Sequence, residues 1–136
     1  MTKQQDARDD YPDFGALLGF EIRLPKSGVA ELELRLAQYH CNRLGTVHGG
    51  VIMTLLDTAG MWACTDAGKA PVCPTVSLSC SFLKAVRIAD TGTLRARGEI
   101  TRKGRTMYFV TVSIVAGDEL VATAQGVYAV PASGRS

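Results

Sequence analysis

Two features of the chain have residue types and spacing that could do chemistry together. One is a polar, glycine-rich stretch, Asn42-Arg43-Leu44-Gly45-Thr46-Val47-His48-Gly49-Gly50. The other is a single carboxylate, Asp57, eight residues beyond Gly49 in an otherwise uncharged apolar run. A helix that opens on Gly49-Gly50 offers bare backbone N–H groups and the positive end of its dipole, which suits an oxyanion. A carboxylate on the same helix can serve as a nucleophile or as a general base. These are the two halves of a candidate active site.

The spacing also sets a geometric demand. Eight helical residues span about 12 Å along the axis, whereas reacting atoms must approach to about 3–3.5 Å. Asp57 therefore cannot reach a carbonyl held at its own helix N-terminus. Two antiparallel copies of the helix would bring Asp57 of one subunit to Gly49 of the other, and a symmetric dimer supplies that arrangement twice. The helix side carrying Met53, Gly60 and Met61 is expected to make this contact.

The elements that must position these parts follow from periodicity. From about His48 to Asp66, Val51, Ile52, Leu55, Leu56, Ala59, Trp62 and Ala63 share one helical stripe, the core face. Met53, Asp57, Gly60, Met61 and Cys64 gather opposite, and Asp57 is the sole charge between His48 and Asp66. Such a helix is expected to be covered on both sides. Gly68 is placed to cap its end. A short helical turn over Phe14–Phe20 precedes strands over Glu21–Pro25 and Val29–Leu36, the second alternating strictly. Gln38–Gly45 reads as a polar connection. After the helix come strands over Thr75–Phe82, Thr93–Thr101, Thr106–Val115 and Leu120–Val130, the first two alternating as well, with turns at Lys103-Gly104-Arg105 and Ala116–Glu119. Hairpin-linked strands form an antiparallel sheet, and the long helix must cover its apolar face. The fold class is α+β: a long central helix wrapped by a curved antiparallel sheet of five to six strands.

The length of 136 residues implies one domain over 1–136, with 1–10 and 131–136 as flexible tails. A hydrophobic share of 46%, a charged share of 21% and a net charge of +2 are ordinary for a soluble domain and give nucleic acid no role as partner. No apolar run is long enough to span a membrane, and the polar N-terminus is the reverse of a secretory signal. A cytoplasmic protein is expected. Cys41, Cys64, Cys73 and Cys80 lack C-x-x-C or metal-ligand spacing and read as reduced thiols, mostly buried.

The motif Asn42-x-x-Gly45-Thr46-x-His48-Gly49-Gly50 with an acid at Asp57, on this layout, resembles the hotdog-fold acyl-CoA thioesterases, specifically the phenylacetate-pathway subgroup and its mammalian relatives. The resemblance covers roughly residues 14 to 130 and extends to the hairpin Gly104-Arg105-Thr106. It implies that the Gly49 N–H polarises the thioester carbonyl and that Asp57 is nucleophile or general base. It further implies that Asn42 orients the water or thioester, that His48 lies beside the thioester oxygen or sulfur, and that Thr75 accompanies the acid. Members are dimers, usually paired into tetramers, act on coenzyme A thioesters and need no metal or organic cofactor. Gly50 joins the substrate-binding set. The coenzyme A phosphates are expected to meet basic residues among Lys84, Arg87, Arg102, Lys103 and Arg105, above all Arg87, Lys103 and Arg105.

Bland readings stand beside these. Asn42 could be only an Asx-turn residue, His48 a helix cap, Asp57 half of an ion pair and Thr75 part of a polar strand face. The competing functions are a hydratase on the same fold, a non-catalytic acyl-CoA-binding protein and a cysteine enzyme. The first lacks its His–acid arrangement and the last lacks a His placed to activate a thiol.

Overall fold

In a computed structural model of the chain, residues 13–65 and 73–132 are described. The strands are β1 (Glu21–Lys26), β2 (Val29–Arg35), β3 (Thr75–Phe82), β4 (Thr93–Lys103), β5 (Met107–Ala116) and β6 (Glu119–Ala129). They form one antiparallel sheet in the order β1-β2-β4-β5-β6-β3. Two helices, α1 (Phe14–Leu18) and α2 (Gly49–Ala63), and a 3-10 turn at Gln38–His40 complete the described elements.

Helix α2 lies across the apolar face because its stripe matches the strands' alternation. Ile52, Leu55, Leu56, Ala59 and Ala63 are buried against Leu32 and Leu34 of β2, Leu94 and Ala96 of β4, and Val110, Val112 and Ile114 of β5. One residue sets how closely the helix approaches. A Cβ on Gly98 of β4 would lie 2.5 Å from the Ala59 carbonyl oxygen, so only glycine lets strand and helix backbones touch there. On the other face, Glu31 and Glu33 of β2 meet Arg97 at 2.7 Å and Arg95 at 3.6 Å, with Arg23 of β1 at 3.9 Å from each glutamate.

The connection from β3 back to β4 does structural work for the site. The Val47 N–H donates to the Val86 carbonyl at 2.8 Å and the Ile88 N–H to the Gly45 carbonyl at 3.3 Å, with a bridge between Thr46 and Arg87. His40, buried in the 3-10 turn, accepts from the Ala37 N–H through Nδ1 at 2.9 Å and donates through Nε2 to the Leu18 carbonyl at 2.8 Å. The loop entering α2 is thus clamped from both sides.

The structure departs from the sequence expectations in four places. Helix α2 stops at Ala63, and the expected cap at Gly68 lies outside the described residues, as do residues 1–10 and 133–136. Gln38–His40 is a 3-10 turn rather than plain connection. Strand β3, expected to alternate like β2, is an edge strand, and Val76 and Phe82 are 52% and 53% exposed. Gly60, expected on the outer contact face of α2, is buried inside the subunit because the Tyr128 hydroxyl packs directly on it. Met53 of that face is 46% exposed.

Candidate active site

The glycine-rich loop is held by its own side chains. Asn42 Oδ1 accepts from the Leu44 N–H at 2.9 Å and the Thr46 N–H at 3.2 Å, and its Nδ2 donates to Thr46 Oγ1 at 2.7 Å. This is an Asx turn: the carboxamide organises the loop that presents His48 and Gly49. His48 is the N-cap of α2, in an extended conformation, and its Nδ1 accepts from the Gly50 N–H at 2.8 Å. Because Nδ1 is the acceptor, the neutral ring carries its proton on the exposed Nε2. The Val51 and Ile52 N–H groups both fold back to the His48 carbonyl.

That leaves the Gly49 N–H, which meets no acceptor among the described residues. Beside it opens a cavity of about 280 Å³ lined by Val47, Gly49, Ile52, Phe82, Val86 and Val121. An unpartnered donor at a helix N-terminus beside an apolar recess can hold a carbonyl oxygen with an acyl chain behind it.

The carboxylate half lies mid-helix. The Thr75 hydroxyl donates to Asp57 Oδ1 at 2.6 Å, linking the first residue of β3 to α2. The structure therefore pairs these two expected residues directly. It adds a third, which the sequence reading missed: Tyr128 of β6, whose hydroxyl reaches the Asp57 carbonyl at 2.9 Å and Oδ1 at 3.3 Å. Burial, reinforced by the Asp57 charge, pushes the Tyr128 hydroxyl well above the usual phenol range, so it remains a proton donor. The signal was in the alternation of β6: Ala124, Gly126 and Tyr128 share the inward face, and an inward tyrosine needs a partner for its hydroxyl.

The structure does not bring Asp57 to Gly49 within one chain; the α2 axis separates them by about 12 Å. The basic candidates divide likewise. Arg87 is exposed beside the Gly45–Thr46 loop, at the Gly49 end. Lys103 and Arg105 belong to the β4–β5 hairpin at the other end of α2, where the Lys103 ammonium lies 5.7 Å from the Tyr108 ring centre and its charge is felt by Cys64. Arg102 stacks 5.9 Å over Phe109. Lys84 is held by both Glu119 oxygens at 2.8 Å.

The cysteines are free thiols, and burial pushes Cys64 up to about 12 and raises Cys73, which makes both poor nucleophiles. Among the described residues no group of three His, Cys, Asp or Glu could hold a metal. No described helix is long and apolar enough to cross a membrane.

Comparison with known proteins adds an independent line. A family model described as the thioesterase superfamily matches residues 44–123. PA0474 of Pseudomonas aeruginosa, whose name proposes an esterase, is 34% identical over 100 residues, 72% of this chain and 72% of that protein. Acyl-coenzyme A thioesterase 13 of Mus musculus is 30% identical over 84 residues, 60% of this chain and 57% of the mouse protein. A phenylacetic acid degradation-related protein of Ralstonia eutropha JMP134 superposes with a TM-score of 0.74 at 29% identity, covering 88% of this chain and 90% of that one.

Proposed function

The chain belongs to the thioesterase superfamily, a thioester hydrolase on a hotdog fold, and on that footing we propose that it cleaves coenzyme A thioesters at a site shared between two subunits. The observation that carries this reading is the division of the machinery along α2: an unpartnered Gly49 N–H at one end and the Asp57–Thr75 pair in the middle. In an antiparallel dimer built on the outer side of α2 and the β3 edge, each Gly49 faces the partner subunit's carboxylate. Pairs of such dimers would form the tetramer.

Chemistry follows from that pairing. The thioester oxygen sits on the Gly49 N–H, helped by the helix dipole and by the outward Nε2–H of His48. As general base, Asp57 takes a proton from water while the water oxygen adds to the carbonyl carbon. The tetrahedral intermediate then expels the coenzyme A sulfur, which leaves as a weakly basic thiolate, picks up the proton and needs no strong acid. As nucleophile, Asp57 would instead form an acyl anhydride that water then opens, giving the same free acid and coenzyme A. No metal or organic cofactor enters either route. Asn42 acts through the loop it closes, and Gly50 by anchoring the His48 ring. Arg87 and the hairpin pair Lys103 and Arg105 would meet coenzyme A phosphates from the two subunits. The apolar recess suits an aryl-acetyl, aromatic or medium-chain acyl group, in keeping with the phenylacetate-pathway subgroup.

The test is thiol release from phenylacetyl-, benzoyl- and hexanoyl-CoA, with Asp57→Asn beside the wild type. We expect turnover by the wild type and a loss of about 100-fold or more in the variant, ~2.7 kcal/mol of transition-state stabilisation. Equal rates would remove Asp57 from the chemistry. Binding without turnover by the wild type would make the chain a non-catalytic acyl-CoA-binding protein.

A further inference from the structure

Tyr128 takes no part in the proposed chemistry, yet among the described residues it is the largest fully buried side chain and it reaches Asp57 twice. Its single hydroxyl proton is shared between the Asp57 main-chain carbonyl and Oδ1, which ties the carboxylate's direction to the helix backbone. Thr75 donates to the same Oδ1. Both side-chain donors converge on one oxygen, and among the described residues no donor meets Oδ2.

We infer that Tyr128 is a positioning residue which, with Thr75, holds Asp57 by Oδ1 so that Oδ2 is the oxygen that reacts. The inference rests on the reading of Asp57 as the catalytic carboxylate. Two features indicate that the hydroxyl is there for more than packing. The ring passes where other side chains could not coexist: a Cβ on Gly60 would run into the hydroxyl, and one on Gly126 would come within 2.7 Å of ring carbon Cε2. The fold has thus left room on two elements for this side chain. Nor does the core require the oxygen, because phenylalanine would fill the same space without a polar atom to satisfy, and Oδ1 would still keep Thr75. A hydroxyl that the core does not need, placed on the carboxylate of α2, orients that carboxylate.

The experiment measures phenylacetyl-CoA and hexanoyl-CoA hydrolysis by wild type, Tyr128→Phe, Thr75→Val, Thr75→Ser, Asp57→Asn and the Tyr128→Phe/Asp57→Asn double variant, each with a thermal midpoint. Tyr128→Phe is expected to keep the wild-type midpoint and KM while kcat falls about tenfold, the cost of a loosely held group. Thr75→Val should behave alike, Thr75→Ser should recover, and Tyr128→Phe should cost nothing further once Asp57 is Asn. Wild-type kcat in Tyr128→Phe, or a fall that tracks a lowered midpoint or a raised KM, overturns the positioning role. If that happens while Asp57→Asn is inactive, the catalytic reading survives alone. If Asp57→Asn matches wild type, or wild type hydrolyses neither thioester, the catalytic reading fails and the positioning role falls with it.

Discussion

The two edges of the sheet face the same hazard, a row of unpaired backbone N–H and C=O groups, and meet it differently. Strand β1 carries Glu21, Arg23, Pro25 and Lys26 within six residues, shifts register between Arg23 and Lys26, and shares its arginine with Glu31 and Glu33. Proline cannot donate, and buried charge is costly, so another strand gains little there. Strand β3 has eight residues, no charge and no proline, with Val76 and Phe82 left exposed. Its one register shift is at the start, between Thr75 and Ser77. One edge is closed by chemistry and the other is left fit for pairing. The open edge is also the strand whose first residue bonds to Asp57. In the proposed dimer, the edge that pairs the subunits would also be the strand that supports the catalytic carboxylate.

The largest effect should come from giving β3 the property of β1. Val76→Lys places a charge on the open edge, and we expect monomers by light scattering with thioester hydrolysis reduced roughly a thousandfold, since no complete site remains to supply its oxyanion donor and carboxylate together. A dimeric, active Val76→Lys would erase the distinction between the edges. Gly49→Pro sharpens it by separating catalysis from assembly. Proline is tolerated at the first helical position and His48 is already extended, so the dimer should persist while loss of the N–H lowers kcat by about 10²–10³-fold. The smallest effect belongs to the closed edge. Glu21→Lys, exposed on β1, should leave the oligomer and the rate unchanged and shift stability by less than about 0.5 kcal/mol in denaturant titration.

Much of this was legible in the chain because it is written locally. Strict alternation in Val29–Leu36 and Thr93–Thr101 placed β2 and β4, and the stripe through Ile52, Leu55, Leu56 and Ala59 placed α2. Gly49 and Asp57 share one helix, which is why residue type and spacing suggested them, whereas Asn42, His48 and Thr75 were named through the family resemblance. What could not be read is long-range. Nothing local in Thr75–Phe82 distinguishes an edge strand from an inner one; that depends on β3 pairing with β6 rather than β4. Gly60 looked like part of an outer face until Tyr128, a residue 68 positions away in the chain, was found against it. Lys84 reads as a free cation because its partner Glu119, at the start of the neighbouring strand β6, is 35 positions away in the chain.

The interval between Gly49 and Asp57 along α2 has a consequence for genetics. In the proposed dimer each site takes one part from each subunit, so an allele without the Gly49 N–H and an allele without the Asp57 carboxylate fail for different reasons. A mixed dimer holds one site with both parts intact and one with neither. Random pairing makes about half of the dimers mixed, so co-expression of two null alleles should return about a quarter of normal activity. In a cell carrying both, two broken copies would act as one weak working gene.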